Sequence, residues 1–223
     1  MSDSHRHEGA DHEHEHDTDD GQHHGHDGHD SHDAHDDHDD HDHHDHGHEG
    51  GGAHAHDDHD HHAHDVDRLG YAVVTVSSTR GYDDDPAGDA IESAVEGAGD
   101  EVVLREVVND DFDGVQEAVN RLVDRDDVDC VVTTGGTGVT PDDVTVEAVT
   151  PLLDKELPGF GELFRSMSRD EIGTMVVGTR ATAGVVGGVL VFCLPGSENA
   201  ARLGCEEIIV AEAGHLVGLA RRE

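Results

Sequence analysis

The first 65 residues contain no valine, isoleucine, leucine, phenylalanine or tyrosine, and this absence limits where the chain can fold. A segment without large apolar side chains cannot bury enough surface to offset the entropy lost when its backbone is ordered. From Val66 onward the composition becomes rich in valine, alanine and glycine, which suffices for one domain with an aliphatic core. We therefore predict a disordered tail over residues 1–65 and one folded domain over residues 66–223.

The tail holds every histidine of the chain except His215, interleaved with aspartates. Imidazole and carboxylate groups in such a pattern form many overlapping sites for Zn²⁺, Ni²⁺, Cu²⁺ or Co²⁺. No fixed spacing recurs, so the pattern predicts multi-site binding and no single defined centre. The alternative is a solvated acidic tail that titrates near neutral pH. The predicted ligands are His41, His43, His44, His46, His59, His61, His62 and His64.

The charge of the chain restricts its partners. The net charge is -40, and the folded part alone carries 31 acidic against 12 basic side chains. Lys155 is the only lysine. Nucleic acid binding needs a positive field, so this balance excludes nucleic acid as a partner. The same balance is typical of proteins that stay soluble in high salt, where screening cancels self-repulsion. We therefore predict a halophilic cytoplasmic protein.

Neither a membrane span nor a disulfide is expected. No apolar run approaches the ~18 residues of a transmembrane helix, and the N-terminus lacks the apolar region of a signal peptide. The three cysteines, Cys130, Cys193 and Cys205, have apolar neighbours and form no CxxC motif. This pattern predicts reduced residues in the core.

Strand and helix patterns alternate along the folded part. Continuous apolar runs predict strands over residues 71–78, 101–108, 128–134 and 189–195. Helical spacing predicts helices over residues 87–98, 110–125, 143–153 and 197–222, with two further helical stretches in 160–178. Such alternation indicates a three-layer α/β/α fold around a mostly parallel sheet. Ligands then bind beyond the carboxyl ends of the strands, where the loops after Ser77, Val108, Thr134 and Pro195 should gather.

The segment TTGGTG, residues 133–138, follows a predicted strand and precedes a predicted helix. It matches neither the lysine-containing Walker loop nor the GxGxxG dinucleotide loop. Backbone amides in a small-residue turn at a helix start bind phosphate without side-chain charge, and Thr134 and Thr137 would add hydroxyl donors. The alternative is a tight turn whose glycines adopt positive φ.

Carboxylates accompany this glycine loop. Asp142 and Asp143 stand where a helix N-cap belongs, so capping is one role for them. Asp110 ends the second predicted strand, and residues 83–85 are aspartates in the loop after the first. Carboxylates from several loops beside an anion site make chemical sense when Mg²⁺ bridges them to phosphates. The pattern therefore predicts a magnesium–phosphate site at this edge of the sheet.

Five segments resemble, in order and spacing, the MoaB/MogA family of molybdenum cofactor biosynthesis proteins. They are TTGGTGVTPDDVTVEA, LPGFGELFR, EIGT, TRATAG and LPGSENAARLG. The resemblance covers essentially all of residues 67–223, with TVSSTRG and DDDPAGD closer to the MoaB branch; the tail lies outside it. It implies a molybdopterin-binding α/β fold and an adenylyl transfer. ATP and molybdopterin would give adenylyl-molybdopterin and pyrophosphate, with Mg²⁺ required.

The resemblance also implies roles for single residues. Asp143 matches the family's catalytic aspartate and Asp110 its second functional aspartate, and both would hold Mg²⁺. Asp142 stands where relatives commonly carry arginine, and Asn109 where proline is usual. Arg180 is either a cation for the same pocket or a member of an ion pair. The residues that fall in pocket-lining segments of the family are Ser77, Gly135, Gly136, Thr137, Gly138, Glu147, Gly196 and Ser197.

Three hypotheses for function follow. The first is a molybdopterin adenylyltransferase, which is favoured because loop acids and glycine nest occur together. The second is a non-catalytic protein that binds molybdopterin and transition metals for storage or delivery. The third is an unrelated nucleotide-processing enzyme on the same fold. The family's assemblies imply a homotrimer or homohexamer, and a molybdenum insertase is a possible recipient of the product.

Overall fold

The computed structural model describes Val66, residues 68–79, Gly81 and residues 84–222. The tail that is predicted to be disordered, the histidines predicted to bind metal and Asp83 lie outside these residues. Within the described part of the chain, no helix is both long and apolar enough to cross a membrane.

Strands and helices alternate through the first half of the domain, as the apolar patterns predict. The elements are β1 (Gly70–Val76), α1 (Pro86–Ala98), β2 (Glu101–Val108), α2 (Phe112–Val123), β3 (Cys130–Thr134), α3 (Thr145–Val149), β4 (Lys155–Glu156), α4 (Pro158–Ile172), β5 (Thr182–Val186), β6 (Val189–Leu194), α5 (Glu198–Gly204) and α6 (Val210–Ala220). Two 3-10 helices, Thr150–Leu152 and Gly173–Gly178, follow α3 and α4, and a π-helical turn, Cys205–Ile209, joins α5 to α6.

One six-stranded sheet has the order β2-β1-β3-β6-β5-β4. The pairs β1–β2, β1–β3 and β3–β6 are parallel, whereas β5–β6 and β4–β5 are antiparallel. The predicted mostly parallel sheet is confirmed. Strands β1, β3 and β6 are buried, as expected where helices cover both faces, whereas the edge strand β2 is only partly buried.

Two apolar clusters lie on opposite faces of the sheet. Alternate residues of β1 separate between them, because successive side chains of a strand point to opposite faces. Tyr71 and Val73 join the cluster formed with α1, α4, α5 and α6. Ala72 and Val74 join the cluster formed with α2 and α3. The predicted three-layer α/β/α architecture is therefore confirmed.

The three cysteines are buried free thiols in these clusters, as predicted. Burial raises the pKa of Cys193 to about 11 and that of Cys205 to about 12. Burial also raises the pKa of Cys130. Because the thiolate is the reactive form, these side chains act as apolar packing groups.

The β5–β6 hairpin was not predicted from the sequence. Gly187 and Gly188 connect its strands with φ values of 57° and 87°. Both values require glycine, as in the tight two-residue turns that join antiparallel strands. The small residues Ala183 and Gly184 weaken the strand pattern of β5, but apolar residues on both sides of a Gly-Gly pair are a hairpin signal.

The register of the parallel strands aligns their carboxyl ends. Thr75 pairs with Thr134, which pairs with Leu194, and Val76 pairs with Val108. The loops that leave β1, β2, β3 and β6 therefore start side by side. The predicted gathering of four loops at this edge is confirmed.

Asp85 does not join these loops as a metal-binding residue, which corrects the prediction made for it. Its side chain is fully buried and caps α1 by accepting from the Gly88 amide at 3.1 Å. It also accepts from the Thr75 hydroxyl at 2.5 Å and from Arg105 at 3.0 Å. Burial alone would raise its pKa, but the bonds from Thr75, Gly88 and Arg105 outweigh burial and lower it. Asp85 is therefore a buried carboxylate that anchors α1 to β1 and β2.

Arg105 is the counter-charge of this carboxylate and is itself only 5% exposed. It also pairs with Asp89 at 2.7 Å and Glu92 at 2.8 Å.

We expect Arg105→Met to lower the free energy of unfolding by about 3–5 kcal/mol, because it leaves Asp85 buried without its cation. The thermal midpoint in molar KCl should fall by about 10 °C. Arg68→Met is the control, since its pair with Glu101 is exposed. An equal midpoint for both variants would contradict the prediction.

Candidate active site

The glycine loop after β3 is a tight turn tied to the end of β6. Gly135 and Gly136 have φ values of 106° and 65°, which side-chain-bearing residues rarely adopt. The Gly135 amide donates to the Leu194 carbonyl at 3.0 Å. The Thr134 hydroxyl donates to the Pro195 carbonyl at 3.0 Å, so it has a partner within the protein. A Cβ at Gly135 would lie 2.3 Å from the Val76 carbonyl oxygen, so only glycine fits.

Thr145, the first residue of α3, holds the glycine loop by two hydrogen bonds. Its buried hydroxyl donates to the Gly135 carbonyl at 2.8 Å, and its amide donates to the Gly136 carbonyl at 3.0 Å. Neither Asp142 nor Asp143 takes the capping role that the sequence allows as an alternative for them. The N-cap is Val144, without a side-chain hydrogen bond, and Asp142 is exposed.

Asp143 instead turns back toward the glycine loop. Its Oδ2 accepts from the Thr140 amide at 2.8 Å and from the Thr140 hydroxyl at 2.6 Å. Partial burial raises its pKa, but these bonds, the Gly138 amide and the charge of Arg180 lower it below the usual range. Asp143 is therefore ionised at neutral pH. The Gly138 amide therefore donates to a carboxylate of the protein itself.

Two cavities meet at Asp143. The first has a volume of about 230 Å³ and lies over the glycine loop; we call it the glycine-loop pocket. It is lined by Gly136, Thr137, Gly138, Asp143, Gly178, Thr179, Pro195 and Gly196. The second, of about 390 Å³, is lined by Val139, Thr140, Pro141, Asp143, Val144, Glu147 and Arg180. The predicted site residues that line these two cavities are Gly136, Thr137, Gly138, Asp143, Glu147, Arg180 and Gly196. Thr134 and Gly135 line neither of them.

Ser197 lines a third cavity, of about 480 Å³, which shares Thr179 and Pro195 with the glycine-loop pocket. Its hydroxyl oxygen accepts from the Ala200 amide at 3.3 Å and caps α5. Ser197 therefore caps α5 and also lies beside the predicted site.

Arg180 forms an ion pair, one of the two alternatives that the sequence leaves open for it. Both Nη atoms donate to the Glu147 carboxylate. The hydrogen bond from Arg180 lowers the pKa of Glu147. The guanidinium also donates from Nε to the Gly138 carbonyl at 2.7 Å and from Nη2 to the Asp143 carbonyl at 2.9 Å.

Asp110 lies at the same edge of the sheet but has a different partner. Its Oδ2 accepts from the Ser78 hydroxyl at 3.1 Å, which joins the loops after β1 and β2. The neighbouring Ser77 donates its amide to the Val108 carbonyl at 2.9 Å. The two predicted metal-binding aspartates therefore have different hydrogen-bond partners: Ser78 for Asp110 and Thr140 for Asp143.

Comparison with known proteins places this chain in a family. A family model described as "Probable molybdopterin binding domain" matches residues 72–215. The chain belongs to the MoaB/MogA family. A Molybdenum cofactor biosynthesis protein B of Bacillus cereus is 44% identical over 145 residues, which is 65% of this chain and 86% of that protein.

Solved structures of MoaB/MogA proteins agree with this placement. A crystal structure of Molybdenum cofactor biosynthesis protein B has a TM-score of 0.68 and 42% identity, covering 70% of this chain and 98% of that chain. The Pyrococcus furiosus tungsten cofactor synthesizing protein MoaB has a TM-score of 0.63 and 42% identity over the same shares. Like its MoaB relatives, the chain is a molybdenum cofactor biosynthesis protein.

Some pocket residues of this MoaB/MogA chain were missed from the sequence. Gly178 and Thr179 line the glycine-loop pocket from the segment before β5. They were missed because neither β5 nor the position of the segment that precedes it was predicted. Thr140, which orients Asp143, was also missed. A threonine followed three residues later by aspartate in a proline-containing turn is a local hydrogen-bonding signal that could have indicated it.

Proposed function

We propose that this chain is a molybdopterin adenylyltransferase. It would use Mg-ATP to adenylylate molybdopterin, giving adenylyl-molybdopterin and pyrophosphate. The observation that carries the proposal is the Asp143 carboxylate, which hydrogen bonds from Thr140 hold at the wall of the glycine-loop pocket. A carboxylate held ionised beside a small-residue turn suits a reaction that needs both phosphate binding and a cation.

The transfer moves one adenylyl group. An oxygen of the terminal phosphate of molybdopterin attacks the α-phosphorus of ATP and forms a new P–O bond. The bond between the α-phosphorus and the oxygen leading to the β-phosphate breaks, and that oxygen keeps the electron pair as pyrophosphate leaves. Such a transfer asks the protein mainly for positioning and for neutralising charge. Small residues of the glycine-loop pocket let phosphate oxygens approach the backbone closely.

The acids of the site fit Mg²⁺ that is shared with a substrate. In the described part of the chain, no group of three or more His, Cys, Asp or Glu side chains could hold a metal by itself. Mg²⁺ commonly binds one or two carboxylates together with substrate phosphates and water. Oδ2 of Asp143 accepts from Thr140, and Oδ2 of Asp110 accepts from Ser78. A carboxylate has about four lone-pair sites, so each of them could also bind a cation. When bound, Mg²⁺ would offset negative charge on the triphosphate.

The proposal predicts pyrophosphate release that depends on molybdopterin. The full chain is incubated with Mg-ATP in molar KCl, with and without molybdopterin, and pyrophosphate is measured. We expect release only when molybdopterin is present, together with loss of release when Mg²⁺ is chelated. The residues expected to line the bound substrates are Ser77, Thr134, Gly135, Gly136, Thr137, Gly138, Gly196 and Ser197.

A binding experiment completes this test. If molybdopterin binds in equilibrium dialysis but no pyrophosphate is released, the adenylyltransferase proposal fails, and a non-catalytic pterin-binding protein becomes the better description. If ATP is hydrolysed equally without molybdopterin, the unrelated nucleotide-processing enzyme is favoured instead. The three hypotheses from the sequence therefore give three different results.

A further inference from the structure

Arg180 donates three hydrogen bonds to backbone carbonyls, two in the glycine loop and one at Asp143. Its own amide donates to the Thr137 carbonyl at 3.2 Å. Its Nε donates to the Gly138 carbonyl at 2.7 Å, and its Nη2 donates to the Asp143 carbonyl at 2.9 Å. One residue on the segment before β5 therefore holds both ends of the loop that runs from Thr137 to Asp143.

Glu147 holds the other side of the same guanidinium. Its two carboxylate oxygens accept from Nη1 and Nη2, the fork geometry that arginine makes with carboxylates. Glu147 lies on α3, whose first residue, Thr145, bonds the carbonyls of Gly135 and Gly136. The loop is thus held between α3 and the segment before β5. These contacts engage all but one of the guanidinium N–H groups of Arg180.

We propose that Arg180 is a positioning residue: with Glu147 it forms a clamp that fixes the glycine loop and aims the Asp143 carboxylate at the glycine-loop pocket. This inference rests on the proposed function, since the aim of Asp143 matters only if it serves the transfer. Arg180 therefore acts through Asp143, and its guanidinium is occupied by the protein instead of by phosphate.

The side chains of the clamp are partly exposed to solvent, so the clamp should affect the position of the loop more than the stability of the domain. The side chains of Arg180 and Glu147 are 32% and 51% exposed. Exposed ion pairs contribute little to global stability, because solvent screens them and fixing long side chains costs entropy. The local effect of the clamp is different, because the guanidinium bonds the carbonyl of Gly138 and the carbonyl of Asp143 itself. Loss of the clamp should loosen the loop without unfolding the domain.

The test uses the full chain and the variants Arg180→Ala, Arg180→Lys and Glu147→Gln. We expect Arg180→Ala to lower kcat for pyrophosphate release by about 100-fold, since small misplacements of reacting groups cost that much. KM for Mg-ATP should change by no more than about twofold, because no contact with the nucleotide is lost. Amide hydrogen exchange of residues 135–147 should accelerate, and exchange of the amides in the sheet should stay unchanged. Arg180→Lys should behave similarly, because lysine cannot form the fork.

Arg121→Ala is the matched control. Arg121 makes the same two-bond pair with a glutamate, Glu106, at 2.7 and 2.8 Å, away from the glycine loop. It should change neither kcat nor loop exchange. The Glu147→Gln variant distinguishes the clamp from direct phosphate binding, because it frees the cation of Arg180. A clamp predicts a lower kcat and faster loop exchange in this variant; a phosphate-binding arginine predicts a lower KM for Mg-ATP.

Two results would overturn the clamp. One is a raised KM for Mg-ATP in Arg180→Ala with loop exchange as in the unmodified chain. The other is tighter Mg-ATP binding in Glu147→Gln. If Arg180→Ala does not fold, Arg180→Lys gives the same two measurements with the charge retained. If the unmodified chain releases no pyrophosphate, the proposed function fails separately, and the exchange of residues 135–147 alone decides whether the clamp exists.

Discussion

Asp143→Asn is expected to remove molybdopterin-dependent pyrophosphate release while leaving the fold intact. Asparagine has the same shape, and its amide oxygen can still accept from the Thr140 amide and hydroxyl, which now bind Oδ2. The substitution removes the negative charge and replaces one acceptor oxygen with an NH2 donor. Because that charge would hold the cation that faces the triphosphate, kcat should fall by at least about 100-fold, the usual cost of removing one preorganised electrostatic group.

The pH dependence follows from the same hydrogen bonds. Partial burial raises the pKa of Asp143, but the Thr140 and Gly138 bonds and the Arg180 charge outweigh burial and lower it. The carboxylate therefore stays ionised as pH falls toward the ordinary aspartate range of about 4. Turnover of the unmodified chain should not decline through protonation of Asp143 between neutral and mildly acidic pH. The Asp143→Asn variant should be inactive across that whole range.

Asp142→Asn is the control for this prediction. Asp142 is the neighbouring carboxylate, but its side chain is exposed and lines neither cavity at Asp143. Its neutralisation changes the local charge by the same amount at a different place. We expect near-normal turnover and an unchanged thermal midpoint. Equal turnover in the unmodified chain and Asp143→Asn would refute the role of Asp143, and equal loss in both variants would indicate a diffuse charge effect.

The parallel half of the sheet could be predicted because its strands are nearly continuous apolar runs; β1, β3 and β6 are buried, and the edge strand β2 is partly buried. The run in β2, Glu101–Val108, matches the predicted range, and β1 and β3 differ from prediction only at their ends. Burial leaves a nearly continuous apolar pattern that is visible without any tertiary information. The antiparallel strands β4 and β5 lack this signal. They are short or rich in small residues, and their pairing depends on the Gly187–Gly188 turn.

The site could be predicted by residue type but not by contact. The glycine loop and Asp143 follow from the order of strand, small residues and acids. The partners do not, because they come from distant segments: Arg180 reaches Asp143 across 37 positions, and Asp110 meets Ser78 across 32. For Asp85, the residue type suggests a site residue, but the contacts in the structure do not. It belongs to an acidic run, but its neighbours in space are Thr75 and Arg105, which make it structural.

Removal of residues 1–65 should abolish transition-metal binding while leaving adenylyl transfer intact. The tail lies outside the described residues, so the prediction rests on its sequence, in which imidazoles alternate with carboxylates. Neutral imidazole is the commonest protein ligand for these ions. The folded part offers little competition: its three cysteines are buried, and no group of three or more candidate ligands is present among the described residues.

The measurement is calorimetric titration of the full chain and of a chain beginning at Val66 with NiCl2 and, separately, ZnCl2. We expect several equivalents of weakly bound metal for the full chain and none for the shortened one. Binding should weaken as pH falls below about 6.5, because protonated imidazole cannot ligate a metal. Asparagine at His41, His43, His44, His46, His59, His61, His62 and His64 is the matched variant, since it keeps every carboxylate of the tail.

Each outcome bears on the division of the chain at Val66. If the asparagine variant keeps its metal, carboxylates or the other histidines hold it, and the densest histidine runs are not the site. If the chain beginning at Val66 binds metal as well as the full chain, the ligands lie in the folded domain. If that shortened chain loses molybdopterin-dependent pyrophosphate release, the tail belongs to the enzyme itself. Retained turnover with lost nickel binding would separate the two chemistries, with metal binding in the tail and adenylyl transfer at the carboxyl edge of the sheet.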